Sequence, residues 1–188
     1  MILYLNACVR GESRTKRLAD YLLSRLGEPV RERKLWELDF PCADEDFLKQ
    51  RDALLAKGER SAPLFDLARE FAEADTIVVA APYWDLSFPA AVKQYFEQVS
   101  VVGITFAYTD EGVPVGLCRA KRLYYVTTAG GTIFSGEFGY GYIRTLTQGM
   151  YGIPETFCFQ AEGLDVAGAD VDAILSEVEG KMDAHLKG

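Results

Sequence analysis

The segment Thr76–Ala81, TIVVAA, carries no polar side chain beyond its first residue, so it reads as a strand buried on both faces. Such strands occur in parallel sheets covered by helices, and the rest of the chain alternates in the way that architecture demands. Ile2–Leu5 is a second short apolar run, ended by Asn6. Residues 14–26 follow with Leu18, Leu22 and Leu26 at i+4 spacing, and Gly27 stands where a helix C-cap is expected. Val30–Leu38 reads as a more polar strand towards a sheet edge. Asp44–Lys57 and Ser61–Ala74 read as helices, the first with acids at its start and bases at its end, the second with one apolar face. Pro89–Val101 is predicted helical, Phe106–Leu117 a hairpin with Asp-Glu-Gly at its tip, Arg122–Thr127 a strand and Tyr142–Tyr151 a helix. Glu155–Ala161 and Asp170–Leu186 complete the pattern as a last strand and a last helix. Five strands alternating with helices predict an α/β fold, a doubly wound parallel sheet with helices on both faces.

Composition narrows the class. A chain of 188 residues is expected to form a single domain, 1–188, with the hairpin near 103–117 as an insertion. Hydrophobic residues at 49% and charged residues at 26% exclude disordered and collagen-like chains. A net charge of −8 argues against nucleic acid or an anionic membrane as partner. No apolar run approaches the roughly 20 residues that cross a bilayer, and the first residues lack the basic region of a signal peptide. The four cysteines, at 8, 42, 118 and 158, form no C-x-x-C pair, so no metal site and a reducing cytoplasm are expected. A single histidine, His185, placed on the surface of the last helix, leaves no His-dependent triad.

Ligands of open α/β sheets bind at the carboxyl ends of the strands, and three loops there are unusual. In Asn6–Thr15 (NACVRGESRT), Ser13, Arg14 and Thr15 lie where a helix begins. They suit a phosphate monoester, although an N-cap serine beside a surface arginine would look the same. Neither a G-x-G-x-x-G nor a P-loop pattern is present. In Ala81–Pro89, Tyr83, Trp84, Leu86 and Phe88 crowd a turn between two prolines, which fits a flat aromatic ligand or a capped core. In Thr127–Thr132 (TTAGGT), continuing through Phe134 to Gly141, paired glycines can bring backbone N–H groups against a ligand, or simply turn a mobile loop.

With NACVRGESRT, APYWDLSFPAAVKQYFEQV, GITFAYTDEGVPVGL and TTAGG in that order, the sequence resembles the FMN-dependent NAD(P)H oxidoreductases of flavodoxin-like fold, the quinone reductase and azoreductase group. The resemblance spans most of the chain. It implies that Ser13, Arg14 and Thr15 hold the FMN phosphate, and that Pro82, Tyr83, Trp84, Asp85 and Leu86 line the ring and ribityl chain. It also places Thr128, Ala129, Gly130 and Gly131 at the pyrimidine edge of the ring. Three departures stand out: Cys8 where the family often has serine, Ala129 where azoreductases have arginine, and Thr132, Ile133 and Phe134 where many relatives carry a histidine. The implied chemistry is two-electron hydride transfer from NADH or NADPH to FMN and on to a quinone or azo acceptor, in ping-pong order. The Gly130 and Gly131 amides are candidates to stabilise the reduced ring, with Tyr108 and Tyr140 as candidate acids. A symmetric homodimer is expected, because Phe106, Tyr108, Phe134, Phe138, Tyr140 and Tyr142 sit in the hairpin and the glycine-rich loop. Two alternatives remain: a one-electron carrier of flavodoxin type, and a flavin-bearing regulatory subunit of a membrane transporter.

Overall fold

The computed structural model describes residues 1–188. Seven strands form, β1 (Ile2–Asn6), β2 (Val30–Lys34), β3 (Thr76–Ala80), β4 (Phe106–Tyr108), β5 (Pro114–Gly116), β6 (Arg122–Thr128) and β7 (Glu155–Ala161). Five of them pair in parallel in the order β2-β1-β3-β6-β7, while β4 and β5 make a separate antiparallel ribbon. Six helices accompany them: α1 (Arg14–Leu26), α2 (Glu45–Ala56), α3 (Asp66–Glu73), α4 (Ala90–Val99), α5 (Tyr142–Leu146) and α6 (Val171–Lys187). The architecture is the α/β doubly wound sheet that the alternation predicts.

Period-two alternation along the central strands fills two cores. Leu3, Leu5, Ile77, Val79, Leu123 and Tyr125 face one side, where α3 and α4 supply Phe71, Tyr95 and Phe96. Ile2, Tyr4, Val78, Ala80, Tyr124 and Val126 face the other, against Leu18 and Leu22 of α1 and Leu175, Val178 and Met182 of α6. Each element is ended as its residues dictate. The Ser13 hydroxyl accepts from the Lys16 N–H at 3.2 Å to start α1, and the Gly27 N–H donates to the Leu23 carbonyl to close it.

The structure corrects several expected boundaries. The strand expected over Val30–Leu38 stops at Lys34, because Leu35 turns into the core and starts a short 3-10 turn over Leu35–Glu37. Ser61–Ala74 holds a 3-10 turn, Pro63–Phe65, before α3 begins at Asp66. The helix expected over Tyr142–Tyr151 is α-helical only to Leu146. It is flanked by wider, π-type turns at Glu137–Gly141 and Thr147–Tyr151. Such turns often mark functional sites. No helix is long and apolar enough to cross a membrane.

Candidate functional site

In this strand order the connections leave β1 and β3 in opposite directions, so a crevice opens between their carboxyl ends. A cavity of about 320 Å³ lies there, formed by the loop after β1, the turn after β3, and the loops after β6 and β7. It brings together Ser13, Arg14, Thr15, Pro82, Tyr83, Trp84, Thr128, Ala129 and Gly130 of the residues singled out in the sequence. Cys8, Val9, Arg10, Glu12, Leu164 and Asp165 join them.

One end of the cleft presents the N-terminus of α1 and the Arg14 guanidinium, which pairs with Asp165 at 2.6 Å. The first N–H groups of α1, at Arg14 and Thr15, have no helical partner, and no acidic residue sits in the first turn. Thr15 itself is buried, and its hydroxyl pairs with that of Thr128 at 2.6 Å, which ties the start of α1 to the end of β6. Asn6, fully buried at the end of β1, accepts from the Cys8 N–H at 2.8 Å and donates to Glu32 at 2.7 Å. The loop is thus fixed to its flanking strands before any ligand arrives. Burial pushes the Cys8 thiol up to about 11, and Sγ lies 3.7 Å from the Ala80 carbonyl. It therefore remains a neutral thiol at pH 7 and not a nucleophile.

The turn after β3 is strained. Asp85 and Leu86 both have left-handed backbones, at φ 49° and 67°. The flanking Trp84 and Ser87 exchange both backbone hydrogen bonds, at 3.1 and 2.8 Å, which closes a two-residue turn of the kind that usually takes Asn-Gly. Two non-glycine residues held there cost on the order of 1–3 kcal/mol each, and such strain concentrates at ligand sites. The turn lifts Trp84 to the rim of the cleft. It also carries the Asp85 and Leu86 side chains outside the cavity wall, and Leu86 is half exposed. Ser87 donates to the carbonyl of Phe138, so the turn is tied to the aromatic loop 134–141. A second, apolar hollow of about 540 Å³ lies beyond the turn, between Phe88, Lys93, Phe138, Tyr142 and Arg144.

The opposite wall is the loop after β6. The Gly130 and Gly131 carbonyls accept from the N–H groups of Asp165 and Gly163, at 2.8 and 2.9 Å, whereas their own N–H groups bond to nothing in the chain. Gly131 lies outside the cavity lining, one residue beyond Gly130. Leu164 and Asp165, which the sequence reading passed over, enter because the segment after β7 runs alongside this loop. The available signal was Gly163 just past the end of a fourth strand, at the same sheet edge as the other three loops.

The two candidate acids do not line the cleft. The Tyr140 hydroxyl donates to the Thr156 carbonyl at 2.8 Å, and its ring stacks near Tyr125. Tyr108 stands on the ribbon, 55% exposed, with its ring edge-on to buried Phe106. His185 is not on the open surface as expected: its ring packs 4.1 Å from that of Phe157 and near Phe159 and Tyr124, because α6 lays its last turn across β6 and β7.

Comparison with known proteins agrees with this geometry. The profile of the family described as "Flavodoxin-like fold" matches residues 1–186. The chain is 36% identical to the FMN-dependent NADH:quinone oxidoreductase of Clostridium beijerinckii, covering 99% of this chain and 98% of that one. It is 37% identical to the FMN-dependent NADH:quinone oxidoreductase 2 of Clostridium acetobutylicum, with the same coverage. Among solved structures, an azoreductase from Bacillus anthracis superposes with a TM-score of 0.82 at 21% identity, covering 98% of this chain and 97% of that one. An FMN-dependent NADH-azoreductase from the same species, solved with FMN, gives 0.81 at 18% identity, covering 99% and 97%. The chain belongs to the flavodoxin-like family that includes the FMN-dependent NADH:quinone oxidoreductases.

Proposed function

We propose that the chain is an FMN-dependent NADH:quinone oxidoreductase, also able to reduce azo-type acceptors, with FMN held non-covalently in the cleft between β1, β3, β6 and β7. The observation that carries this is the polarity of the cleft. One end offers helix-start N–H groups and a guanidinium, and the far wall offers the unbonded amide of Gly130, with that of Gly131 one residue beyond the lining. This donor set fits a phosphorylated flavin. When bound, FMN supplies hydride acceptance and donation, so no protein nucleophile is required.

Each residue then has a binding or orienting task. Ser13, Arg14 and Thr15 hold the phosphate. Pro82, Tyr83 and Trp84 pack along the ring and its chain, while Asp85 and Leu86 set the turn that aims them. Thr128, Ala129, Gly130 and Gly131 would hold the pyrimidine edge, and the Gly130 and Gly131 N–H groups would be the donors that stabilise negative charge on the reduced ring. A side-chain acid is not needed within the cleft, because water at its open mouth can deliver the proton. NADH and the acceptor use that mouth in turn, which makes the kinetics ping-pong. Initial rates with NADH and menadione should give parallel double-reciprocal lines. Intersecting lines would contradict the shared mouth, and FMN-loaded protein that fails to oxidise NADH would contradict the function.

We also propose that residues 1–188 act as one flavin-binding unit, that the protein works in the cytoplasm, and that it is a twofold homodimer. Phe134 at 83% exposure, Phe138 at 60% and Tyr108 at 55% stand on the loop 134–141 and the hairpin, more exposed aromatic surface than a small acidic protein sustains alone. Twofold pairing covers the same patch on both chains and brings Tyr108 and the aromatic loop towards the partner's cleft. Light scattering should give close to twice 20.9 kDa, and a monomer mass with full activity would overturn this assembly.

A further inference from the structure

Four charged side chains line the 320 Å³ cleft: Arg10, Glu12, Arg14 and Asp165. An acid in the wall of a phosphate site opposes the ligand unless it does something else, and the position of Asp165 indicates what. Its Oδ1 is 2.6 Å from the Arg14 guanidinium, at the anion-binding end. Its Oδ2 lies over Gly130, so close that a Cβ on that glycine would sit 2.1 Å from it. The carboxylate, 71% exposed, therefore reaches from Arg14 at the helix start to Gly130 on the opposite wall. Its backbone is not free to drift. The N–H groups of Gly163, Leu164 and Asp165 donate to the carbonyls of Gly131, Ala129 and Gly130, at 2.9, 3.3 and 2.8 Å. No hydrogen bond within the chain ends on Oδ2.

Resting on the flavin reading above, we propose that Asp165 binds the hydroxylated chain joining the phosphate of the cofactor to its ring, with Oδ2 accepting from a chain hydroxyl. A carboxylate has only acceptors, and a polyol chain presents donors at this level of the cleft. Such a bond is charge-assisted, while Arg14 on Oδ1 offsets the charge that the nearby phosphate would otherwise meet. The same contact explains Gly130: any side chain there would displace the carboxylate.

Affinities of FMN, riboflavin and lumiflavin, measured by fluorescence quenching, test this. Riboflavin keeps the polyol but lacks the phosphate, and lumiflavin lacks both. Asp165→Ala should weaken FMN and riboflavin by the same factor, about tenfold, and leave lumiflavin unchanged. Asp165→Asn, whose amide oxygen still accepts, should recover part of that loss. Arg14→Ala should weaken FMN alone. If Asp165→Ala tightens FMN and leaves riboflavin unchanged, Asp165 is only a counter-ion to Arg14 and the proposal fails. An equal loss for lumiflavin, with a lowered urea midpoint, would also overturn it by making the residue structural. Wild-type protein that takes up none of the three flavins would overturn the cofactor assignment itself, a result separate from either loss pattern.

Discussion

At Asp85 and Leu86 the chain accepts backbone strain that glycine would avoid, on a turn whose flanking residues bond to each other twice. Leu86→Gly should relieve it and raise stability by about 1 kcal/mol, read as a higher urea midpoint. The same change loosens the turn that sets Trp84 at the cleft rim, so FMN affinity should fall several-fold. A variant of unchanged stability would mean that the left-handed conformation is held at no cost. Residue identity in the sequence pointed to most of the cleft, because serine, arginine, threonine and paired glycines at strand ends carry recognisable chemistry. It could not reveal that the Thr15 hydroxyl turns inward to Thr128, or that Gly130 makes room for Asp165. Those facts depend on contacts between segments separated by 113 and 35 residues. Tyr140 drew notice as an aromatic among glycines, but only the fold places Thr156 beside its hydroxyl.

Among the elements, the ribbon of β4 and β5 is attached in a way that one residue controls. A Cβ on Gly116 would lie 2.1 Å from backbone atoms of Tyr151 and Gly152, and backbone cannot yield as a side-chain tip can. Gly116→Ala should therefore lift the ribbon from the turn at Thr147–Tyr151. Faster amide exchange in residues 104–118, with the central sheet still protected, is the expected reading. Unaltered protection of the ribbon would contradict this docking. The sheet itself was legible: Thr76–Ala80, buried on both faces, announces itself by composition, and it and the edge strand Glu155–Ala161 lie within one residue of their expected limits. The π-type turn at Glu137–Gly141 was not, because Ser87 holds the Phe138 carbonyl and the Gly141 N–H reaches back to Gly136, contacts that no hydrophobic period announces. Nor was the end of β2, where Leu35 leaves the strand to reach the core.

For the whole molecule, one buried and two partly buried thiols set an alkaline limit. Burial raises Cys8 to about 11 and Cys118 and Cys158 to about 12, above their value in an unfolded chain. Between the unfolded and folded values the native state holds protons that the unfolded chain has released, so stability falls as pH rises. It is complete below about pH 9 and declines from there towards 11, by up to about 1.4 kcal/mol per pH unit for Cys8 alone. Urea midpoints should be level from pH 7 to 8.5 and drop at pH 10, and a midpoint that holds through pH 10.5 would refute the linkage. The cleft, the family and the proposed chemistry all meet in one claim, that the start of α1 grips the phosphate of a flavin. Calorimetric titration of FMN and riboflavin into the cofactor-free protein and its Arg14→Ala variant tests it most directly. One site per chain is expected, with FMN bound more tightly than riboflavin by wild-type protein and that preference lost in the variant. FMN and riboflavin bound alike by the wild-type protein, or an FMN preference that survives the loss of Arg14, would contradict it.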